Sequence, residues 1–254
     1  MNRLDAELVA RGLVDSRAHA QRVMKESRVQ QNLAGIWQTV TKPSAKTAPE
    51  TQLRVIASDD DRYVSRGGLK LAGALHKSGL SVKGLTALDV GQSTGGFSDC
   101  LLQAGVEKIV GVDVGHDQLA KKIREDKRVS YYEGINAREL PLDLRENHAP
   151  GGFDIAVMDV SFISQTLILP SLVPLLKNGG VLLSLVKPQF EVGREGIGKG
   201  GIVRDQGYYK KVEEKLSLCC RELGLNVIDY FDSPITGGDG NREFFILAEN
   251  NIDI

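Results

Sequence analysis

A chain of 254 residues with ordinary composition makes one large or two small globular domains. Its formal net charge of −1 conceals nine Lys or Arg against five Asp or Glu in residues 1–57, a basic segment that points to an anionic partner unless it is only a solvated helical surface. Three cysteines without a Cys-x-x-Cys pair, four scattered histidines, no signal peptide and no run of ~18 apolar residues read as a reduced cytoplasmic protein with no metal site and no membrane partner.

Residues 2–12 and 16–27 read as two short helices. Leu4 and Leu8 are four apart, Gly12 fits a helix C-terminus, and Asp15-Ser16 offers an N-cap. On the second helix Ala20, Val23, Met24 and Ser27 share one face, and Arg17, Gln21, Lys25 and Arg28 another. A basic stripe of that kind can ride on a phosphate backbone or be an ordinary amphipathic surface. The runs Arg3-Leu-Asp-x-x-Leu8, Arg11-Gly-Leu13, Ser16-Arg17-x-x-Ala20-Gln-Arg22 and Thr41-Lys-Pro-Ser44 resemble the S-four RNA-binding domain. The resemblance implies a small α+β module over 1–57 that touches RNA through Arg3, Arg17, Arg22, Lys25 and Lys42. Where that family has a Val-Asn-Gly hairpin this chain has Val29-Gln-Gln-Asn-Leu-Ala-Gly-Ile-Trp37, which predicts a longer or distorted first hairpin.

The acidic run Ser58-Asp-Asp-Asp-Arg62 places a linker at 58–64 and a second domain at 65–254. Lys70 lies on the polar side of the helix that follows, and taken alone reads as a solvated lysine. From Leu85 the pattern alternates as in an α/β doubly wound parallel sheet. Strands are expected at 85–90, 108–113, 129–133, 153–159 and 181–187. Helices are expected near 95–104, 117–125, 137–144 and 164–177, the last stopped by Asn178-Gly-Gly180. A helix at 205–223 presents Val212, Leu216, Cys219 and Leu223 on one face. Asn226–Phe231 and Glu243–Ala248 then form a closing antiparallel hairpin, an ending similar to class I (Rossmann-like) S-adenosylmethionine methyltransferases. A nicotinamide dehydrogenase would share the glycine turn but leave that hairpin unexplained.

The first of these strands runs into Asp89-Val-Gly-Gln-Ser-Thr-Gly-Gly-Phe97, where glycines let backbone approach a ligand and a new helix aims free N–H groups into the crevice. Asp113 ends the next strand 24 residues after Asp89, where an acid grips ribose hydroxyls. The candidate cofactor contacts are Asp89, Gly91, Ser93, Gly95, Gly96, Phe97 and Asp113, with Asn136 beside an adenine or else a simple cap. Asp159 and Lys187 end the fourth and fifth strands, and desolvation there would lower the lysine's pKa towards that of a usable base. The bland reading of the pair is a structural ion pair. Asp154, at the far end of its strand, reads as structural. Five glycines among Arg194, Lys199 and Arg204 in 189–204 read as a mobile lid over RNA, or as a plain solvent loop.

Longer runs carry a second resemblance: Ser65-Arg-Gly-Gly-Leu-Lys-Leu71, Asp89 through Leu102, Val112-Asp-Val-Gly115, Met158-Asp-Val-Ser-Phe162 and Val186-Lys-Pro-Gln-Phe-Glu191. They resemble the hemolysin A (TlyA) family, itself similar to FtsJ-type RNA ribose methyltransferases with a Lys-Asp-Lys-Glu tetrad. The matching positions are Lys70, Asp159, Lys187 and Glu243. The resemblance implies transfer from S-adenosyl-L-methionine to cytidine 2′-hydroxyls of ribosomal RNA, with ribosomal RNA or ribosomal subunits as partner. It makes Lys187 the base, Asp159 its orienting partner, and Lys70 and Glu243 the groups that place the nucleotide. Gln92 stands where a small residue is expected, so cofactor contacts there should differ. Two alternatives stay open: a non-enzymatic RNA-binding or assembly factor on the same fold, and a pore-forming hemolysin. Nothing in the sequence fixes an oligomeric state.

Overall fold

Two sets of apolar residues alternate along the strands of the second half of the chain, and each set builds its own core. A computed structural model of the protein describes residues 1–14 and 16–251. The chain divides into two compact units, one spanning Met1–Asp61 and one beginning at Arg62.

In the first unit β1 (Asn2–Arg3) pairs antiparallel with β4 (Lys46–Thr47). Helices α1 (Leu4–Ala10) and α2 (Arg17–Lys25) pack through Leu4, Leu8, Ala20, Val23 and Met24. Asp15 lies outside the described residues, but its neighbour Ser16 does cap α2, its side chain accepting from His19 N. The second helix ends earlier than its apolar spacing predicts. Ser27 has a φ of 60°, and Arg28 is buried and bonded to Glu26, Asp61 and the Ile56 carbonyl, so it joins no basic stripe.

A sheet of β2 (Val29–Leu33), β3 (Ile36–Thr39) and β5 (Leu53–Val55) completes the unit in the order β3-β2-β5. Its hairpin is neither longer nor distorted. Ala34 and Gly35 both take positive φ, 52° and 86°, a two-residue turn whose twist matches the strands. Asn32 Oδ1 accepts from Gly35 N at 2.9 Å, so Asn-Leu-Ala-Gly closes the turn without an Asn-Gly pair at its tip.

The second unit is a seven-stranded sheet. After α3 (Arg66–Ser78), strands β6 (Thr86–Val90), β7 (Lys108–Val112) and β8 (Val129–Tyr132) are parallel neighbours, and β9 (Phe153–Met158) lies on the other side of β6. Next to β9 comes β10 (Leu176–Val186). The antiparallel β12 (Phe244–Asn250) is inserted between it and β11 (Leu225–Asp232). Side chains of one parity (Leu88, Val90, Leu182, Val186) enter one core, and those of the other (Ala87, Leu183, Leu185) enter the second. Helices on both faces cover them, as a largely parallel sheet requires.

Helix α4 (Gly96–Gln103) follows β6 as predicted, and α9 (Gly207–Glu222) buries Val212, Leu216 and Cys220, the strict four-residue row, with Cys219 half-buried. Three other helices are shorter than predicted. That at 117–125 contracts to α5 (Lys121–Arg124), because Asp117 takes a φ of 56°. The 137–144 segment becomes a 3₁₀ turn at Ala137–Glu139 followed by α6 (Asp143–His148). The 164–177 segment breaks into 3₁₀ turns around α7 (Leu169–Leu172), since Pro170 and Pro174 each remove a helix donor. Asn178-Gly-Gly180 therefore stops no helix. It lies within β10, where the register with β9 shifts between Leu176 and Val181. The one-turn α8 (Pro188–Glu191) follows β10 directly.

Candidate active site

Strand register alone brings the candidate residues to one edge of the sheet. Val90 stands opposite Met158, so Gly91 and Asp159 follow side by side. Val186 stands opposite Phe244 on antiparallel strands, so Lys187 and Glu243 come next to each other. The carboxyl ends of β6, β9 and β10 and the amino end of β12 thus converge where open α/β sheets hold their ligands.

Two lysine–carboxylate pairs result. Lys187 Nζ stands 2.5 Å from Asp159 Oδ1 and donates to Ser161 Oγ at 3.0 Å. Lys70 Nζ donates to Glu243 Oε2 at 2.5 Å. Lys70 is not the solvated lysine its helix position implies; its side chain is only 10% exposed, and that of Glu243 only 3%. Helix packing explains the burial. Ser65 Oγ lies 2.1 Å from where a Cβ on Gly96 would be, so α3 presses its first turn onto the start of α4 and carries Lys70 inward.

The glycine turn shapes the floor. Gly91 has a φ of 82°, and a Cβ there would fall 2.4 Å from the Asp159 carbonyl oxygen, so only glycine lets the two strand ends meet. A cleft of 440 Å³ opens above it, with Asp113, Asn136 and the apolar Val112, Ile135 and Ile163 among its walls. A smaller cavity, lined by Lys187, Phe97 and Gly96, shares Gly91, Ser93, Asp159 and Ser161 with it. Asp113 receives Ser93 N and Gly115 N, both at 2.7 Å, which fixes its carboxylate at the rim. Asn136 lines the cleft and also accepts from Arg138 N as a cap.

Asp89 and Gly95 stand apart from the other candidate contacts. Neither lines the cleft. Asp89 is fully buried beneath the turn, where Ser98 Oγ donates to it at 2.6 Å, and burial pushes its carboxyl up to about 7. Gly95 faces Leu119 and Ile123 instead, with a φ of 90° that starts α4. Gln92 explains itself through its neighbour on β7. Its amide donates to Ser98 Oγ at 2.8 Å and occupies the space where a side chain on Gly111 would stand. Bulk at 92 is thus matched by glycine at 111.

Ser161 and Phe162 carry no role that the sequence alone suggests, although both follow a strand-end carboxylate. Ser161 bridges both cavities. Phe162 is 90% exposed at the cleft, holds a φ of 65° and rests 5.0 Å from the Phe190 ring.

The basic residues divide. Arg3 and Arg17 both donate to the buried Asp5, each with about half of its side chain exposed, and Lys25 and Lys42 are exposed. Arg22 is mostly covered and stands 3.9 Å from Asp61. Arg194, Lys199 and Arg204 are all exposed, and hydrogen bonds fasten their segment at several points. Ile197 bridges Val203, Arg204 Nε donates to the Ile197 carbonyl, and buried Asn241 bonds Val203 N and the Gly201 carbonyl. Asp154 is structural as expected, receiving Thr86 N and pairing with Lys177. Among the described residues there is no His/Cys/Asp/Glu cluster fit for a metal, and no helix long and apolar enough to cross a membrane.

The strand order, the antiparallel insertion of β12 and the glycine turn define a class I, Rossmann-like methyltransferase fold. Residues 63–250 match the model of the FtsJ-like methyltransferases, and the chain belongs to that family. Its methyl donor is S-adenosylmethionine, and the residues fit that group: an acid at the rim, apolar walls for an adenine, and a glycine cradle that a Cβ would fill. YqxC of Bacillus subtilis is 44% identical over 96% of this chain and 84% of its own. TlyA of Mycobacterium tuberculosis, named a 16S/23S rRNA (cytidine-2′-O)-methyltransferase, is 38% identical over 99% of this chain and 91% of its own. A solved structure from Streptococcus thermophilus is 40% identical and covers 98% of this chain and 88% of that one, with a TM-score of 0.76.

Proposed function

We propose that this protein methylates the 2′-hydroxyl of a cytidine ribose in ribosomal RNA. The observation that carries the reading is the Lys187–Asp159 pair opening into a cavity that shares its walls with the glycine turn. A ribose hydroxyl is a poor nucleophile, so alignment and proton removal are what the protein must supply. Bound S-adenosylmethionine supplies a methyl group on a sulfonium, an excellent leaving group. Asp113 would hold its ribose, Asn136 and the apolar wall its adenine, and Gly91, Ser93 and Gly96 its methionine end.

Lys187 Nζ takes the proton of the 2′-hydroxyl while Asp159 and Ser161 hold that nitrogen in place. Lys70 and Glu243, locked together, set the position of the nucleotide's backbone. Phe162 offers a flat apolar face on which an unstacked base can rest, the usual way a single base is held for chemistry. Arg3, Arg17, Lys25 and Lys42 of the S-four-like unit, with Arg194, Lys199 and Arg204, meet phosphates of the RNA or of a ribosomal subunit.

The test is methyl transfer to ribosomal RNA by Lys187→Ala. The variant should bind S-adenosylmethionine in calorimetry and transfer no methyl group. Transfer at the normal rate removes Lys187 as the base, and absence of S-adenosylmethionine binding by the unaltered protein would favour a non-enzymatic RNA-binding factor.

A further inference from the structure

Two segments carry the reacting pair: the loop 159–165 after β9, and the stretch 187–191 from the end of β10 through α8. Both leave the sheet and travel outward together, cross-linked at intervals. Lys187 meets Asp159 and Ser161 at the sheet end. The rings of Phe162 and Phe190 touch midway. At the outer end Glu191 closes the ladder: its Oε2 accepts from Ser164 Oγ at 2.6 Å and its Oε1 from Gln165 N at 2.7 Å.

Glu191 is an unusual residue to find there, because its carboxylate is 1% exposed. Burial of an ion costs several kcal/mol unless its lone pairs are met. Here they are. Lys215 Nζ, arriving from α9, donates to Glu191 Oε2 at 2.8 Å, to the Glu191 carbonyl at 3.0 Å and to Ser164 Oγ at 3.1 Å. Gln165 then fastens the loop back to β10, donating to the Leu185 carbonyl and accepting from Ser184 Oγ, two and three residues before Lys187.

We propose that Glu191, braced by Lys215, is a positioning residue that fixes α8 against the 159–165 loop and so sets the register of Lys187 on Asp159 and Ser161. Lys187 is the N-cap of α8, and a single helical turn separates it from Glu191. Any rotation of that turn moves the lysine nitrogen relative to its partners. The same ladder supports Phe162 in its left-handed conformation, which a non-glycine residue holds only where its surroundings impose it. Displacement of a reacting group by about 1 Å costs roughly 100-fold in rate. The brace acts on alignment and touches neither substrate nor cofactor.

The inference rests on the functional reading above. It is tested with Glu191→Gln, which keeps the shape and weakens both the ion pair and the carboxylate's hydrogen bonds. The single-turnover rate of methyl transfer should fall roughly 10- to 100-fold, with the dissociation constants for S-adenosylmethionine and RNA unchanged. The limb of the pH–rate profile that reports the Lys187 proton should move as well. Ser164→Ala, which keeps every charge and removes one rung, should show the same pattern at smaller amplitude, and it decides the matter if Glu191→Gln does not fold. Unaltered single-turnover rates in these variants, or losses confined to binding, overturn the proposal while leaving the function standing. An unaltered protein that transfers no methyl group to ribosomal RNA removes the functional reading, and the proposal with it.

Discussion

Lys70 and Glu243 lie 173 residues apart in sequence and meet as a buried ion pair 2.5 Å across. Removing one member of such a pair strands the other charge in a low-dielectric site, at a cost of roughly 3–5 kcal/mol, whereas an apolar pair of similar volume restores much of the loss. Glu243→Leu and Lys70→Met should each lower the denaturant midpoint strongly, and the double variant should regain most of it. Methyl transfer should stay lost in all three. Recovery of activity together with stability in the double variant would make the pair purely structural.

Asp89 gives a pH dependence. Its carboxyl is raised to about 7 by burial, against 3.8 for the ordinary group. Folding therefore favours the protonated form. The contribution is fully present below about pH 4, declines as the unfolded chain ionises, and is gone above about pH 7. Asp89→Asn stays neutral throughout and so lacks this contribution to the pH dependence. Relative to the variant the protein should lose up to ~4 kcal/mol between these limits, from 1.36 kcal/mol per pKa unit. Parallel slopes of unfolding free energy against pH for the two proteins would contradict this.

Alternation of apolar runs with helical stretches makes the succession of strands along the chain legible, and the positions of Asp113, Asp159 and Lys187 follow, because each ends or directly follows a strand. What periodicity could not show was which way a side chain turns once it leaves the strand. Asp89 lies within β6, opposite Gly111, and is sealed beneath the turn, whereas Asp113 follows the last residue of β7 and forms a rim. The difference lies in Ser98, which binds Asp89 from α4, and in the backbone groups of Ser93 and Gly115 that hold Asp113. Lys70 was hidden for a related reason. A lysine on the polar face of a helix reads as solvated until a partner from the far end of the chain arrives to bury it. The glycines around Arg194, Lys199 and Arg204 give no sign of the bond from Asn241, 40 residues beyond, to the Gly201 carbonyl.

Gly91 is a position where one methyl group should undo the site. Alanine there would place its Cβ 2.4 Å from the Asp159 carbonyl oxygen, and the φ of 82° is itself unfavourable for any L-residue. The left-handed backbone alone costs about 1–2 kcal/mol. The backbone clash must be relieved by separating β6 from β9, which moves Asp159 away from Lys187. Gly91→Ala should lose affinity for S-adenosylmethionine and lose transfer rate further. A comparison at Gly79, also left-handed with a φ of 68° but open around its Cβ position, separates the two effects. Gly79→Ala should show the backbone cost without the loss of binding.

Arg3 and Arg17 make the last prediction, through the carboxylate that joins them. Asp5 is fully buried and accepts from Arg3 Nε and Nη2, from Arg17 Nη2 and from Gln21, so one carboxylate holds two guanidinium groups on side chains about half exposed. Like charges in that arrangement repel, and a phosphate between them relieves the repulsion while releasing counterions. Arg3→Ala and Arg17→Ala should each weaken ribosomal RNA binding and reduce the slope of log affinity against log salt by about one. Asp5→Asn keeps both positive charges and frees them from their anchor. It should therefore weaken binding while leaving the salt slope unchanged, which separates positioning from charge. A slope that does not respond to loss of either arginine would place the RNA contact elsewhere in the unit, with the exposed Lys25 and Lys42 as the remaining candidates.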